Sequence, residues 1–162
     1  VTSEASWERV ITLTKQVEGG LDILVNGAGV RVASNIEDGS LTHWRQVMSV
    51  NGGGVFVGCK HGLRAMKEAG GAIVNVASTL AVRAAGDHAA FAASKAAVLS
   101  ITRSTARHCT EQGYDIRCNA VLTAADDTAH YDNAALAIVY LASREAAFVT
   151  SVEIPVDGGL LA

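Results

Sequence analysis

Residues 21–29 read LDILVNGAG. A short apolar run breaks at once into a glycine turn. A run of this length is the mark of a strand buried on both faces of a parallel sheet. Residues 71–78, GAIVNVAS, repeat the pattern and end in Ser78. Residues 114–122, YDIRCNAVL, give a third strand, and 149–159, VTSVEIPVDGG, give a fourth that closes on a glycine turn.

Helical patterns fill the intervals. Over 3–18, Trp7, Val10, Ile11, Thr14 and Val17 recur near a 3.6 period, with Thr2 or Ser3 as N-cap and Gly19-Gly20 as the stop. A long helical pattern covers 41–68, with an interruption expected at Gly52-Gly53-Gly54, and Gly70-Gly71 ends it. Alanine-rich 87–112 is another helix, closed by Gly113, and 133–144 is the last. Strands alternating with long helices imply an α/β fold with a parallel sheet and right-handed crossovers. In such sheets ligands bind beyond the carboxyl ends of the strands. The polar and glycine-rich groups sit there: Asn26 to Gly29, Ser78, and Asp157-Gly158-Gly159.

The chain has 162 residues, which suits one domain spanning 1–162. With 49% hydrophobic and 18% charged residues, the composition is globular. A net charge of -3 argues against a nucleic-acid surface. No apolar run approaches the roughly 20 residues of a membrane-spanning helix. Cys59, Cys109 and Cys118 are scattered and lack metal-ligand spacing, so they read as free thiols in a reducing cytoplasm. The five histidines form no HExxH or close pair, and the expectation is that they are solvated or locally bonded, with no metal site. Pro155 is the only proline where about eight are ordinary, which points to missing loops.

Taken singly, the candidate chemical groups carry bland readings. Ser78 is a strand-end serine bonded to nearby backbone. Lys95 is a lysine snorkelling from an alanine-rich helix. Asn51 marks a helix kink with a local hydrogen bond. Their order changes the reading. LVNGAG, VNGGGVFVGCK, GAIVNVAS, FAASKAAV, YDIRCNAV and VEIPVDGG follow one another over nearly the whole chain. The set resembles the short-chain dehydrogenase/reductase family, and its wording is most similar to the bacterial NAD-linked hydroxysteroid and general alcohol dehydrogenases of that family.

That resemblance implies a Rossmann-like doubly wound parallel sheet and hydride transfer between NAD or NADP, with NAD favoured, and an alcohol or ketone. Its Asn-Asn-Ala-Gly turn corresponds to Asn26, Gly27, Ala28 and Gly29, bordering the adenosine half of the dinucleotide and bracing the sheet. Gly27 replaces the second asparagine. The catalytic asparagine matches Asn51, which holds a water that links the lysine to solvent. The catalytic serine matches Ser78, which bonds the substrate oxygen. The lysine that grips the nicotinamide ribose matches Lys95. The catalytic tyrosine matches Phe91, thirteen residues past Ser78 and four before Lys95.

A free phenol titrates near pH 10, and an adjacent ammonium pulls it toward neutrality. Phenylalanine neither donates nor accepts a proton. An acid–base group contributes about 10²–10⁴ in rate, so roughly 3–5 kcal/mol of barrier lowering is expected to be lost. The alternative is a non-catalytic relative that binds a dinucleotide or acts through its oligomer. The resemblance also implies a homo-oligomer, dimer or tetramer, built through 41–68 and 87–112.

Two parts of the family pattern are missing. No GxGxxG phosphate loop occurs, and VTSEASW resembles the text before the family's fourth strand, so the sequence reads as the C-terminal two-thirds of a subunit. After Leu122 the chain runs through TAADDTAHYDN to the next helix without a substrate-covering loop. Were the first strand truly missing beside it, LDILV would be a bare apolar edge.

Overall fold

The computed structural model describes residues 1–124 and 131–162. The histidine at 130 and most of the stretch where the substrate loop is expected to be missing lie outside the described residues.

Helix α1, Glu4–Glu18, opens on Ser3, whose hydroxyl accepts from Ser6 N–H, and closes on Gly19 in the left-handed region. Of the two caps the sequence allows, the chain uses Ser3. Strand β1, Ile23–Asn26, follows. Helix α2, Leu41–Val47, runs into a π-helical turn over Met48–Gly53 and on into helix α3, Gly54–Met66. The interruption expected near Gly52 is therefore a widened turn rather than a break. Strand β2 is Gly71–Ser78, helix α4 is Ala89–Gln112, and strand β3 is Ile116–Thr123. Helix α5, Tyr131–Ala142, and strand β4, Glu153–Val156, complete the chain.

The four strands form one parallel sheet in the order β1-β2-β3-β4. Side chains alternate across it. Leu24, Ile73, Ala77, Cys118, Ala120 and Leu122 pack with α3 and α4 on one face. Val74 and Val121 pack with α5 on the other. Pro155 lies in β4, which among the described residues has a strand neighbour on one side only, where a missing N–H is tolerated.

Strand β1 departs from the expectation of burial on both faces. Leu24 and Asn26 are buried beneath α3, but Ile23 is 49% and Val25 43% exposed. These two residues point to the face that α5 covers farther along the sheet, and among the described residues β1 pairs with β2 alone. Among the described residues, β1 is an end strand of the sheet. Helix α3 approaches β1 closely because Gly62 lacks a side chain: a Cβ there would stand 2.5 Å from Leu24 Cδ2.

Candidate active site

Helix α4 decides where the chemistry sits. Its buried stripe runs through Phe91, Ser94, Lys95, Val98, Leu99, Thr102, Ala106 and Cys109, a helical spacing of three and four. Lys95 lies within that stripe and is 6% exposed. The snorkelling reading fails because the side chain turns inward, beneath the carboxyl ends of the strands. Its Nζ donates to Val76 O at 2.8 Å and stands 5.7 Å from the centre of the Phe91 ring. Burial pulls the ammonium down to about 8 from its ordinary 10.5. Arg31 approaches the same ring, 5.8 Å from its centre, so two cations flank one aromatic face or edge.

Ser78 ends β2 at the same place and is 2% exposed. Its hydroxyl oxygen accepts from Leu80 N–H at 3.2 Å, capping the short 3₁₀ turn Thr79–Ala81. Ser78, Phe91 and Lys95 line one cleft of about 220 Å³, together with Gly29, Arg31 and Thr123. Gly29 forms part of its wall. A Cβ at this position would lie 3.3 Å from Asn51 Oδ1 and 3.6 Å from Lys95 Nζ.

Asn51 is fully buried in the π-helical turn. Its Oδ1 accepts from Val30 N–H at 2.8 Å. Its Nδ2 donates to Val30 O at 2.9 Å and to Ser94 Oγ at 2.9 Å. Ser94 in turn donates to Phe91 O at 2.7 Å. The amide therefore ties the segment after β1 to the first turns of α4. A π-turn is the local cost of presenting that amide, and such turns gather at functional sites.

Asn26 is arranged differently. Its Nδ2 donates to Asn75 Oδ1 at 2.8 Å, and Asn75 Nδ2 donates to Thr102 Oγ1 at 2.9 Å. The parallel register sets Asn26 opposite Asn75, so this buried chain of amides braces β1, β2 and α4. The Asn26 side chain is thus committed to the interior. Ala28 lines a second, smaller cavity of about 70 Å³ with Val1, Trp7 and Asn26. Of the residues expected to meet cofactor, Gly29 and Lys95 share the cleft with Ser78 and Phe91, while Asn26 and Ala28 line the smaller cavity.

Arg31, Thr123 and Ser94 were not singled out from the sequence. Ser94 had a readable signal, since it lies three residues past Phe91 on the same helical face. Arg31 and Thr123 had none, because only the tertiary fold brings the loop after β1 and the end of β3 to Lys95.

A parallel three-layer α/β sheet, with a serine at a strand end facing a lysine buried on the following helix, defines a Rossmann-like protein with its site at the strand termini. The chain belongs to the short-chain dehydrogenase/reductase family. Residues 1–134 match the family model described as Enoyl-(Acyl carrier protein) reductase. The chain is 40% identical over 121 residues to a 3-beta-hydroxysteroid dehydrogenase of Comamonas testosteroni, covering 75% of this chain and 48% of that protein. It is 34% identical to a 3-alpha-(or 20-beta)-hydroxysteroid dehydrogenase of Mycobacterium tuberculosis, covering all of this chain and 69% of that protein. An NADP-dependent (R)-specific alcohol dehydrogenase of Lentilactobacillus kefiri is 32% identical, with coverages of 99% and 74%.

Among solved structures, a short chain dehydrogenase from Mycobacterium smegmatis superposes with a TM-score of 0.89 at 32% identity, covering 96% of this chain and 66% of that one. The chain thus spans about half to three quarters of the length of these relatives. The alignment to the Mycobacterium tuberculosis protein runs over 181 positions against 162 residues here, so that relative carries internal residues this chain lacks. Among the described residues, no helix is long and apolar enough to cross a membrane.

Proposed function

We propose that this protein moves hydride between a nicotinamide dinucleotide and a small-molecule secondary alcohol or ketone, and that Phe91 holds the rate low. The observation that carries this reading is Lys95, an ammonium buried beside an aromatic ring and a strand-end hydroxyl in one cleft.

The nicotinamide end of such a cofactor suits this cleft on one local feature. Gly29 leaves open the space next to Asn51 Oδ1 and Lys95 Nζ, where a Cβ would stand 3.3 Å and 3.6 Å from them. Lys95, Gly29 and Gly27 line this cleft and would hold that end, while the turn from Asn26 through Gly29 would border the adenosine half. When bound, the nicotinamide supplies or takes up the hydride. Both NAD and NADP remain within the proposal: the sequence resemblance leans to NAD, and one relative is named for NADP. The relatives named for hydroxysteroids and for an alcohol support the substrate class.

The protein's own groups divide the remaining work. The Ser78 hydroxyl oxygen accepts from Leu80 N–H, so its own proton is available to a substrate oxygen. Asn51 fixes the loop after β1 against α4 and so holds the cleft's shape. Lys95 stands where it would stabilise a phenolate at position 91. Phe91 keeps the ring that fills that place but offers no proton. The reaction therefore lacks its acid–base group, which is worth about 10²–10⁴ in rate.

The test is Phe91→Tyr, assayed for NAD(P)-linked turnover on a panel of secondary alcohols and ketones, with nicotinamide binding measured alongside by calorimetry. A gain of about 10²-fold or more is expected. Unchanged turnover with binding intact would contradict the lost-phenol account.

A second reading is favoured by Phe91 itself: a non-catalytic member of the family that binds a dinucleotide or acts through its assembly. Homo-oligomer formation, as a dimer or tetramer, belongs to both readings. It is supported by a groove of about 310 Å³ between α3 and α4, lined by Phe56, Leu63 and Ile101, with Phe56 55% exposed. Three free, buried cysteines support placement in a reducing cytoplasm.

A further inference from the structure

Away from the cleft, α1 and α3 bring three metal-ligating side chains together. Glu4 and Glu8 stand one helical turn apart on α1, so their carboxylates share a face. His61 lies on α3 opposite them. One ligand atom from each of the three lies within 4.8 Å of the other two. Around a tetrahedral ion with bonds of about 2.0–2.2 Å, neighbouring ligand atoms stand roughly 3.3–3.6 Å apart. Both glutamates are exposed, and side-chain rotation, of Glu8 above all, would close the remaining distance.

The histidine supplies an independent observation. Contrary to the expectation that the histidines are solvated or locally bonded, His61 is only 6% exposed. Its Nε2 is buried without any hydrogen-bond partner. Buried polar atoms are nearly always bonded, and an orphaned one carries a desolvation penalty. This nitrogen is aimed at the acidic pair, with Glu4 Oε2 at 3.9 Å, too far for a hydrogen bond. Lys60 occupies the other oxygen of the same carboxylate, Oε1, at 2.7 Å and leaves Oε2 turned toward the imidazole.

We propose that Glu4, Glu8 and His61 form a binding site for a divalent transition-metal ion, holding it through one imidazole nitrogen and two carboxylate oxygens with water completing the shell. A nitrogen ligand selects against Mg²⁺ and Ca²⁺, and three protein ligands with an open position suit Zn²⁺. Helix α1 buries none of its residues. A bound ion would therefore clip α1 to α3, a structural rather than catalytic role.

The experiment is Zn²⁺ titration of the whole chain by calorimetry, with Co²⁺ as a spectroscopic substitute and thermal melting followed in parallel. One equivalent is expected to bind with a Kd below about 100 μM, to raise the melting temperature, and to give Co²⁺ the absorption of a low-symmetry nitrogen–oxygen site. Glu8→Gln is exposed and leaves the core untouched; it is expected to weaken binding by at least about tenfold. His61→Gln is expected to do the same, and if that variant misfolds, Glu4→Gln with Glu8→Gln decides. Absence of saturable binding overturns the site. So does binding that these variants leave unchanged, since the ion then sits on other histidines or on thiols.

Discussion

Helices α4 and α1 both carry apolar stripes at helical spacing, yet they end in opposite situations. Ten residues of α4 are buried, Lys95 among them, whereas α1 buries none. On α1, Val10, Leu13 and Val17 remain 55–67% exposed. The strands follow the same division. Strand β2 has a strand on each side and a helix on each face, and Ile73 and Val74 are fully buried. Among the described residues, strand β1 has one strand neighbour and one covered face. Periodicity announces a stripe; whether it is buried depends on what packs against it. Lys95 is the extreme case, because the packed side of the molecule is tight enough to enclose a charge.

The comparison is broken most directly at paired positions. Ile73→Ala is expected to cost about 2–5 kcal/mol by chemical denaturation, from lost burial and a cavity. Ile23→Ala, the same residue type on the neighbouring strand but 49% exposed, is expected to stay within about 0.5 kcal/mol. Similar losses at both sites would erase the distinction.

Lys95→Met comes next. Burial lowers the Lys95 folded-state value to about 8 from 10.5. Between those values the unfolded chain binds more protons than the folded one, so stability rises with pH across that window. At pH 7 the full penalty applies, and without nicotinamide the substitution is expected to stabilise the chain by up to about 3 kcal/mol. The advantage should shrink as pH climbs from about 8 toward 10.5. An advantage independent of pH in denaturation curves would mean the ammonium is not desolvated as described.

Asn51→Ala removes bonds to Val30 and Ser94 within the interior. A loss of about 1–3 kcal/mol is expected, with faster proteolysis of the segment after β1. Val25→Lys is the smallest in stability, within about 0.5 kcal/mol. Its effect should show in light scattering instead, as weaker self-association through the apolar edge of β1. Undiminished association would place the contact elsewhere.

Much of this was legible in the residues. LDILVN, GAIVNVAS and YDIRCNAVL announce strands through short apolar runs, and Gly19 and Gly113 mark helix ends through their left-handed backbone. Phe91 and Lys95 could be placed on one face because four residues make one helical turn. What stayed hidden depends on partners distant in the chain. Nothing near His61 shows that α1 will leave its Nε2 buried without a partner. Nothing near Asn51 names Val30, 21 residues away, as its partner. The exposure of Ile23 and Val25 follows from the sheet order, which a local apolar run does not encode.

The central claim is that the amine of Lys95 stands ready to ionise a phenol at position 91. The most direct measurement is the ultraviolet titration of the phenol introduced by Phe91→Tyr, with and without Lys95→Met in the same chain. The account predicts a phenol titrating at least about one pH unit lower when Lys95 is present. The same titration midpoint in both variants would contradict it.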